Sequence, residues 1–362
     1  EAAHRLNIEN YHRRGPCDSP YDGVLCDDPE AVAALTRRFG DDAVYSPTAL
    51  ETYADCPFRF YLGDVLSLEP LASPDPDLTA RERGSLVHRI AHRFYAGWRR
   101  DGHGPLTDEN HPEALRRILA IGREEAEQVS LRSPAWAVEK EFLLGSPLAG
   151  RGLLERFIEN ELRLAASPLS PRAFEFSFGL PVGEGAADAV PIRLGEGPEE
   201  TILLRGRIDR IDVAPDGAFM ITDYKTGSSH PNLADVMAGK ALQLPLYIRA
   251  VETLTGLSGA AGAYYTVRRG EVRARPVFWD AGQKDHFAVY PGTRNSGVED
   301  VRALVDASLA RVRDYLHGIR NGRFPPRQDA GPCPGYCGFA TVCRFDGLRE
   351  FSSCGEGFDG AH

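Results

Sequence analysis

Two segments near the middle of the chain alternate between hydrophobic and polar residues, over positions 202–213 and 219–224. This alternation is the pattern of half-buried β-strands. Residues 215–217 (Pro-Asp-Gly) lie between the two segments and have the chemistry of a tight turn. The pattern therefore predicts a β-hairpin.

Three charged residues fall on one face of this predicted hairpin. Asp223 and Lys225 are two residues apart, so their side chains point to the same side of the second strand. Asp209 lies on the partner strand, where a simple register brings it close to Asp223. A divalent cation held by both aspartates would give a use to a cluster that is otherwise costly to bury. A D-x-K pattern alone is more often a surface hairpin with paired charges. Asp212 lies on the opposite strand face from Asp209 and is predicted to be a turn residue.

Apolar residues recur at helical spacing on both sides of the hairpin. Helices are predicted over residues 29–39, 48–55, 82–100, 112–130, 151–166, 240–254 and 298–319. Further strands are predicted over residues 173–180, 190–194, 260–268 and 272–279. This order of elements predicts an α/β fold in which helices cover both sides of a sheet.

The composition narrows the class of protein. Of the 362 residues, 42% are hydrophobic and 26% are charged, which is typical of a soluble globular protein. No apolar run approaches the roughly 18 residues of a membrane helix. The chain starts without a methionine or a signal peptide pattern, so we expect a piece of a longer, cytoplasmic protein. The net charge of −10 argues against a free-standing, non-specific DNA binder, but it allows a nuclease whose metal site adds carboxylates.

Seven cysteines are present, and three of them, Cys333, Cys337 and Cys343, fall within eleven residues. An odd count without a secretory signal argues against a disulfide framework and favours metal ligation in a reducing compartment. Together with a remote cysteine, the triple can hold either zinc or a [4Fe–4S] cluster. Cys17 and Cys26 are predicted to be ordinary thiols.

Two other patterns bear on function. His88 and His92 are four residues apart on a predicted helix, which is one spacing for a zinc pair, but more often one of two such histidines is an ordinary one. No G-x-x-x-x-G-K-[ST] loop is present, so any ATP-driven motor belongs to another domain or chain.

Several of these motifs, in this order, resemble a known family. Residues 206–212 (GRIDRID), 221–227 (ITDYKTG) and 243–247 (QLPLY) are similar to the ordered motifs of the PD-(D/E)xK nuclease superfamily, in its RecB-like branch. Residues 46–58 (SPTALETYADCPF) and 83–88 (RGSLVH) resemble the N-terminal motifs of that branch. The likeness is strongest to the C-terminal nuclease domain of AddB-type subunits of helicase–nuclease complexes, and it covers roughly residues 45 to 345.

The resemblance implies a role for each matching residue. Asp209 and Asp223 would bind Mg²⁺ or Mn²⁺, with the main-chain carbonyl of Tyr224 and the active-site histidine, His88, as further ligands. Lys225 would be the catalytic lysine, and Gln243 and Tyr247 would face the site from the following helix. Glu175 is either an additional acidic group of the site or a strand-edge carboxylate.

The resemblance also implies a [4Fe–4S] cluster held by Cys56, Cys333, Cys337 and Cys343. Three residues separate Cys333 from Cys337 where the family usually has two, and Cys354 is a possible substitute ligand. The implied fold is a restriction-endonuclease-like mixed β-sheet flanked by helices, with the N- and C-terminal segments joined by the cluster. Such a staple closes a very long loop and is structural, without redox chemistry.

The implied function is metal-dependent, exonuclease-type hydrolysis of DNA, most readily of single strands that a helicase domain or subunit supplies during the repair of DNA breaks. The alternative is a catalytically silent, nuclease-like module that binds DNA or acts as a scaffold. The expected division is a lead-in segment over residues 1–45, a nuclease domain over 46–345 that includes the cluster-binding segment, and a tail over 346–362.

Overall fold

The structure is a computed structural model that describes residues 20–70, 80–129, 134–180, 188–194, 201–227, 229–326 and 337–343. Contacts within the chain separate two compact units. Unit 1 takes in Glu1–Ser73, Pro191–Leu204 and Ser308–His362, and unit 2 takes in Pro74–Val190 and Arg205–Ala307.

The described elements are the following, in chain order. The helices are α1 (Pro29–Arg38), α2 (Pro47–Asp55), α3 (Pro57–Phe60), α4 (Ala80–Arg100), α5 (His111–Glu127), α6 (Pro134–Leu144), α7 (Leu153–Leu164), α8 (Leu233–Met237), α9 (Gln243–Thr255), α10 (Val301–Arg320) and α11 (Ala340–Cys343). The strands are β1 (Val44–Tyr45), β2 (Ser170–Phe178), β3 (Val190–Arg193), β4 (Thr201–Leu204), β5 (Gly206–Val213), β6 (Ala218–Lys225), β7 (Ser258–Arg268), β8 (Glu271–Asp280) and β9 (Gly297–Val298).

A six-stranded mixed sheet in the order β2-β5-β6-β7-β8-β9 forms the centre of unit 2. Strand β5 pairs antiparallel with both β2 and β6, β7 runs parallel to β6, and β8 is antiparallel to β7. Helices α4 and α7 pack on the sheet, and α9 packs on β6 and β7. The predicted α/β fold with a helix-flanked central sheet is therefore confirmed.

The antiparallel pair β5–β6 confirms the predicted hairpin. Its register sets Arg210 opposite Thr222 and Ile211 opposite Ile221. Gly217 completes the turn with a φ of +87°, a left-handed conformation that glycine adopts without steric cost.

The predicted first strand of the hairpin is longer than the observed one. Alternation continues through Arg205, but the ladder breaks there, and β4 pairs with β1 in a separate sheet of unit 1 in the order β1-β4-β3. The break is invisible in the pattern because the residues on both sides of Arg205 keep the same alternation of buried and exposed side chains.

Helix α4 confirms the predicted amphipathic helix. Its apolar stripe of Leu86, Ile90, Phe94 and Trp98 is buried, with exposures of 3% or less. This stripe joins a core that also contains Phe157 and Ile158 of α7 and Ala261, Ala263 and Tyr265 of β7. Packing on one side therefore orients α4, and with it His88, relative to the sheet.

Unit 1 has an aromatic core made from distant parts of the chain. Phe60 lies between Tyr53, at 5.6 Å in an edge-on arrangement, and Phe324, stacked at 6.2 Å. The hydroxyl of Tyr53 donates to the carbonyl oxygen of Arg323 over 2.7 Å. Ser46 caps α2 by accepting from the N–H of Ala49.

Four helices of the described residues, α3, α6, α8 and α11, were not predicted from the sequence. Helices α3 and α11 are only four residues long. Helix α6 buries Trp136 and Leu143 but exposes Val138, so it has no continuous apolar stripe. Helix α8 is only five residues long and depends on a capping box between Asn232 and Asp235. In the described part of the chain, no helix is long and apolar enough to cross a membrane.

Candidate active site

Three carboxylates lie on neighbouring strands of the unit 2 sheet, one each on β2, β5 and β6. The β2–β5 register pairs Phe174 with Arg210 and Phe176 with Ile208, so Glu175 and Asp209 occupy matching positions between them. The β5–β6 register carries Asp209 on to Asp223 in the same way. The sheet itself thus arranges the three acids in a row.

Asp209 is held by contacts on both sides of its carboxylate, and only 8% of it is exposed. Its Oδ2 accepts from the main-chain N–H of Tyr224 over 2.8 Å. Its Oδ1 lies 3.2 Å from Nδ1 of His88. The bond to Tyr224 ties the carboxylate to the neighbouring strand and limits its rotation.

His88 reaches this row from α4. Its Nδ1 also lies 3.5 Å from Oε1 of Glu175, and its Nε2 lies 3.3 Å from the carbonyl oxygen of Tyr224. Burial lowers the pKa of His88, but the hydrogen bonds to Asp209 and Glu175 and their charges outweigh it and raise the pKa to about 10. The two carboxylates therefore favour the charged form of the His88 imidazole.

Asp223 is engaged on its other side by Lys225 and Gln243. Nζ of Lys225 lies 2.7 Å from Oδ2 of Asp223, and Nε2 of Gln243 donates to Oδ1 over 2.6 Å. Burial, followed by the charge of Asp209, raises the pKa of Asp223 to about 6, although Lys225 opposes this. The predicted proximity of the D-x-K pair is therefore observed, and Gln243 joins it from the first turn of α9.

Tyr247 lies one turn further along α9 and does not contact the carboxylates directly. Its ring packs against Gly206 at the start of β5, where an added Cβ would lie 2.5 Å from a ring carbon. It also meets Phe178 edge-on at 6.1 Å. Burial raises the pKa of the Tyr247 phenol well above its usual range. Tyr247 thus supports the strand that carries Asp209.

Glu175 has an unusual backbone for a strand residue, with a φ of +49°. The β2–β5 ladder shifts register between Pro171 and Ala173, a few residues upstream. Burial raises the pKa of Glu175, but the hydrogen bond and charge of His88, then the charge of Arg207, outweigh it and lower the pKa. Of the two readings left open from the sequence, the structure has the carboxylate beside His88, within the cluster.

The ligand atoms of His88, Glu175 and Asp209 all lie within 4.8 Å of one another. Two carboxylates, an imidazole and the nearby carbonyl of Tyr224 form an oxygen-rich donor set, which suits Mg²⁺ or Mn²⁺ better than a thiolate-preferring metal. The residues present therefore fit a divalent cation. His92, the other member of the predicted histidine pair, is exposed and outside this group.

Behind the row, on the opposite face of β5, lies a buried ion-pair network. Arg210 contacts both Asp212, at 2.8 Å, and Glu161 of α7, also at 2.8 Å, and the hydroxyl of Tyr95 donates to Glu161. Asp212 is fully buried within β5, so the prediction of a turn residue is wrong, although its predicted face is correct. The sequence does not indicate this network, because Glu161 reaches Arg210 from α7, 49 positions away.

Two residues near the site were not singled out from the sequence. Arg207 lies two residues before Asp209, and its Nη1 is 3.5 Å from Oε2 of Glu175. Tyr264 of β7 lies under the Lys225 ammonium, with Nζ 5.2 Å from the ring centre. Strand parity could have pointed to Arg207, which shares a face with Asp209, whereas Tyr264 gives no local signal.

Three of the predicted cluster cysteines are described, and all belong to unit 1. Cys56, Cys337 and Cys343 are partly buried and pack against one small hydrophobic cluster of Phe58, Leu62 and Phe339. Cys333 and Cys354 lie outside the described residues.

Cys26 is disulfide-bonded, so the prediction that it is an ordinary thiol is wrong. The odd cysteine count argued against a framework of bridges, but it does not exclude a single pair. Cys17 lies outside the described residues.

Several curated proteins are similar to this chain over most of the chain's length. The B subunit of an ATP-dependent helicase/deoxyribonuclease from Moorella thermoacetica is 28% identical over 83% of this chain and 30% of its own length. The subunits of the same name from Symbiobacterium thermophilum and Desulforudis audaxviator are 32% and 31% identical, over 86% and 89% of this chain. This chain covers only 30% and 31% of those two relatives.

A family model described as the PD-(D/E)XK nuclease superfamily matches residues 44–344, which include the acidic row, the D-x-K strand and Gln243. The relatives named above agree with the resemblance to AddB-type subunits that the motifs carry. From the arrangement of these residues and the extent of the match, we conclude that the chain belongs to the PD-(D/E)XK nuclease superfamily.

Proposed function

We propose that this chain is a divalent-metal-dependent deoxyribonuclease domain that hydrolyses phosphodiester bonds of DNA. The observation that carries the proposal is the row of Glu175, Asp209 and Asp223, with Lys225 paired to the last of them. Burying so many acids close together is unfavourable without a counter-charge. Here the counter-charges come from His88, Lys225 and Arg207.

In this proposal Asp209, Asp223, the carbonyl of Tyr224 and His88 hold Mg²⁺ or Mn²⁺. Asp223 lies outside the group of mutually close ligand atoms, and Glu175, which belongs to that group, is a further carboxylate beside His88. A bound cation would supply a polarised phosphate and a water of lowered pKa. Lys225 contributes positive charge close to where negative charge develops on the phosphate. Gln243 orients both Lys225 and Asp223, because Nζ of Lys225 also donates to its Oε1 over 3.5 Å. Tyr247 supports the start of β5 by packing against Gly206.

The test of catalysis uses labelled single-stranded and double-stranded DNA, with Mg²⁺, with Mn²⁺ and with EDTA. We expect cleavage that needs the cation, and its loss in Asp223→Ala and Lys225→Ala. Matched controls are Asp216→Ala in the hairpin turn and Lys284→Ala, both at exposed positions, which should retain cleavage. Circular dichroism checks that each variant is folded.

Cation-independent cleavage, or full activity in both site variants, would contradict the catalytic assignment. Binding of DNA without turnover under all conditions would favour the alternative of a silent DNA-binding or scaffolding module. The same substrates, labelled at either end, report whether cutting is exonucleolytic and whether single strands are preferred, as we propose.

The relatives are named as subunits of ATP-dependent helicase/deoxyribonucleases. We propose by this similarity that the chain works with a helicase domain or subunit in the repair of DNA breaks, in the cytoplasm. The proposed boundaries are a lead-in over residues 1–45, a nuclease domain over 46–345 and a tail over 346–362.

We further propose that Cys56, Cys333, Cys337 and Cys343 hold a [4Fe–4S] cluster that joins the N- and C-terminal segments of unit 1. The packing of Cys56, Cys337 and Cys343 around Phe58, Leu62 and Phe339 supports this, because it brings residues from both segments to one place. Zinc is the alternative metal for such a thiolate set.

Iron, sulfide and zinc analysis of protein purified without oxygen separates the two metals. We expect about four irons per chain for a [4Fe–4S] cluster and a loss of iron in Cys56→Ser. Cys354→Ser should keep its iron, and loss of iron in this variant would make Cys354 the ligand instead of one of the triple. Stoichiometric zinc without iron would overturn the cluster.

A further inference from the structure

A second charged feature of unit 2 lies beside the acidic row. A groove of about 560 Å³ is lined by the basic residues His92, Arg99, Arg100 and Arg172, with Ala96 and Phe174 between them. No carboxylate of the described residues lines this groove. In a chain with a net charge of −10, four basic side chains around one groove are a local reversal of sign.

The groove begins where the acidic row ends. His92 lies one turn after His88 on α4, and Phe174 directly precedes Glu175 on β2. Residues 88, 92, 96 and 99 share one face of α4, so the stripe from the site to Arg99 is about 17 Å long at 1.5 Å per residue. That length exceeds the spacing between neighbouring phosphates of a nucleic acid strand.

A structural explanation accounts for only part of this pattern. Arg99 and Arg100 lie in the last turn of α4, where positive charge complements the helix dipole, and Arg100 also pairs with Asp101 at 3.1 Å. The dipole does not explain Arg172, which comes from β2 and whose carbonyl accepts from Nη1 of Arg99. That contact links strand and helix into one wall of the groove.

We propose that this groove binds the sugar–phosphate backbone of the DNA strand on one side of the bond to be cut, with Arg100 and Arg172 contacting phosphates. The proposal rests on the proposed nuclease function and extends it by naming the path of the substrate. Positively charged grooves that track the backbone bind single strands without reading their sequence. The apolar floor of Ala96 and Phe174 suits the sugars between phosphates.

The experiment measures binding of fluorescein-labelled single-stranded DNA by anisotropy in EDTA, over a series of salt concentrations. The test variant is Arg100→Gln with Arg172→Gln, both at exposed positions. The matched control is Arg116→Gln with Arg294→Gln, which makes the same change of net charge at exposed residues outside the groove. Melting curves show whether each double variant is folded.

We expect the groove variant to bind more weakly and to lower the slope of log K against log salt by about 0.7 per lost contact, or about 1.4 in total. The control should keep the slope of the original protein. Equal changes in both double variants would indicate non-specific attraction and would overturn the proposal. An unchanged slope in the groove variant, or no binding by the original protein, would overturn it as well. Because cleavage is not measured, a failure of the nuclease assignment leaves this readout intact.

Discussion

At the scale of single residues, Glu175 combines a chemical role with an unfavourable backbone. Its φ of +49° places a side chain in the left-handed region, which costs an L-residue roughly 1–2 kcal/mol and glycine nothing. Its Oε1 lies 3.5 Å from Nδ1 of His88. Strained backbones of this kind concentrate at functional sites.

This backbone predicts an unusual order of stability for two variants that both remove the carboxylate. In an ordinary strand, glycine is less stable than alanine by roughly 0.5–1 kcal/mol. At position 175 we expect the reverse, with Glu175→Gly more stable than Glu175→Ala by about 1 kcal/mol. Urea unfolding of the pair measures the difference. A more stable alanine variant would show that the positive φ is not retained.

The buried network around Arg210 gives a second prediction at this scale. Arg210→Met leaves Glu161 and Asp212 buried without their shared cation, which should cost about 3–5 kcal/mol of unfolding free energy near neutral pH. Burial raises the pKa of Asp212, and the charge of Arg210 opposes this rise. Removing Arg210 should therefore raise the pKa of Asp212 further. An acid whose pKa is higher in the folded than in the unfolded state lowers the free energy of unfolding as the pH rises above its unfolded-state pKa. The loss of stability in Arg210→Met should therefore become smaller at acidic pH.

Urea unfolding near pH 5 and pH 7 measures this pH dependence. The control is Arg249→Met, whose partners Glu252 and Asp306 are more exposed, with side-chain exposures of 22% and 57%. We expect a smaller cost there, with little change between the two pH values. A defect in Arg210→Met that grows on acidification would contradict the assigned sign.

At the scale of elements, the central hairpin depends on a close contact with α9. An alanine at Gly206 would bring its Cβ to 2.5 Å from the Tyr247 ring, so Gly206→Ala should cost about 1–3 kcal/mol through overpacking. Gly227→Ala is a matched control, because the nearest atom to an added Cβ there is 3.8 Å away. Adding Tyr247→Ala should recover part of the loss in a double-mutant cycle. Strict additivity of the two substitutions would contradict the contact.

The hairpin also shows how far the sequence alone predicts the site. Period-two alternation and the D-x-K spacing give the strands, the shared face of Asp223 and Lys225, and the position of Asp209. They do not give the place of Glu175, because the register shift in β2 and the positive φ break the alternation. They also miss the division between β4 and β5, because alternation continues through Arg205. Helices with a continuous apolar stripe, such as α4, were predicted within a few residues, whereas α6 and α8 lack that stripe.

At the scale of the whole molecule, the residues of the two proposed metal centres fall in different units. The cysteines belong to unit 1, and the acidic row belongs to unit 2. We therefore expect that removing iron increases hydrogen exchange in peptides covering 47–62 and 308–326 while peptides of β5 and β6 change little. Cys56→Ser should reproduce this pattern and lower the melting temperature. A uniform increase in exchange over both units would contradict a staple confined to unit 1.

The aromatic core of unit 1 has a consequence for the order in which the protein can be completed. Tyr53 and its partner Arg323 are 270 positions apart, and Phe60 and Phe324 are 264 positions apart. At 5–20 residues per second, the ribosome needs roughly 15–55 seconds to supply these partners, and both chain segments of unit 2 emerge in the interval. Nascent chains arrested shortly after Ala307 should therefore protect β5 and β6 from protease but leave residues 47–62 open to cleavage. Helices α2 and α3 would then become protected after β5 and β6, although they are synthesised before them.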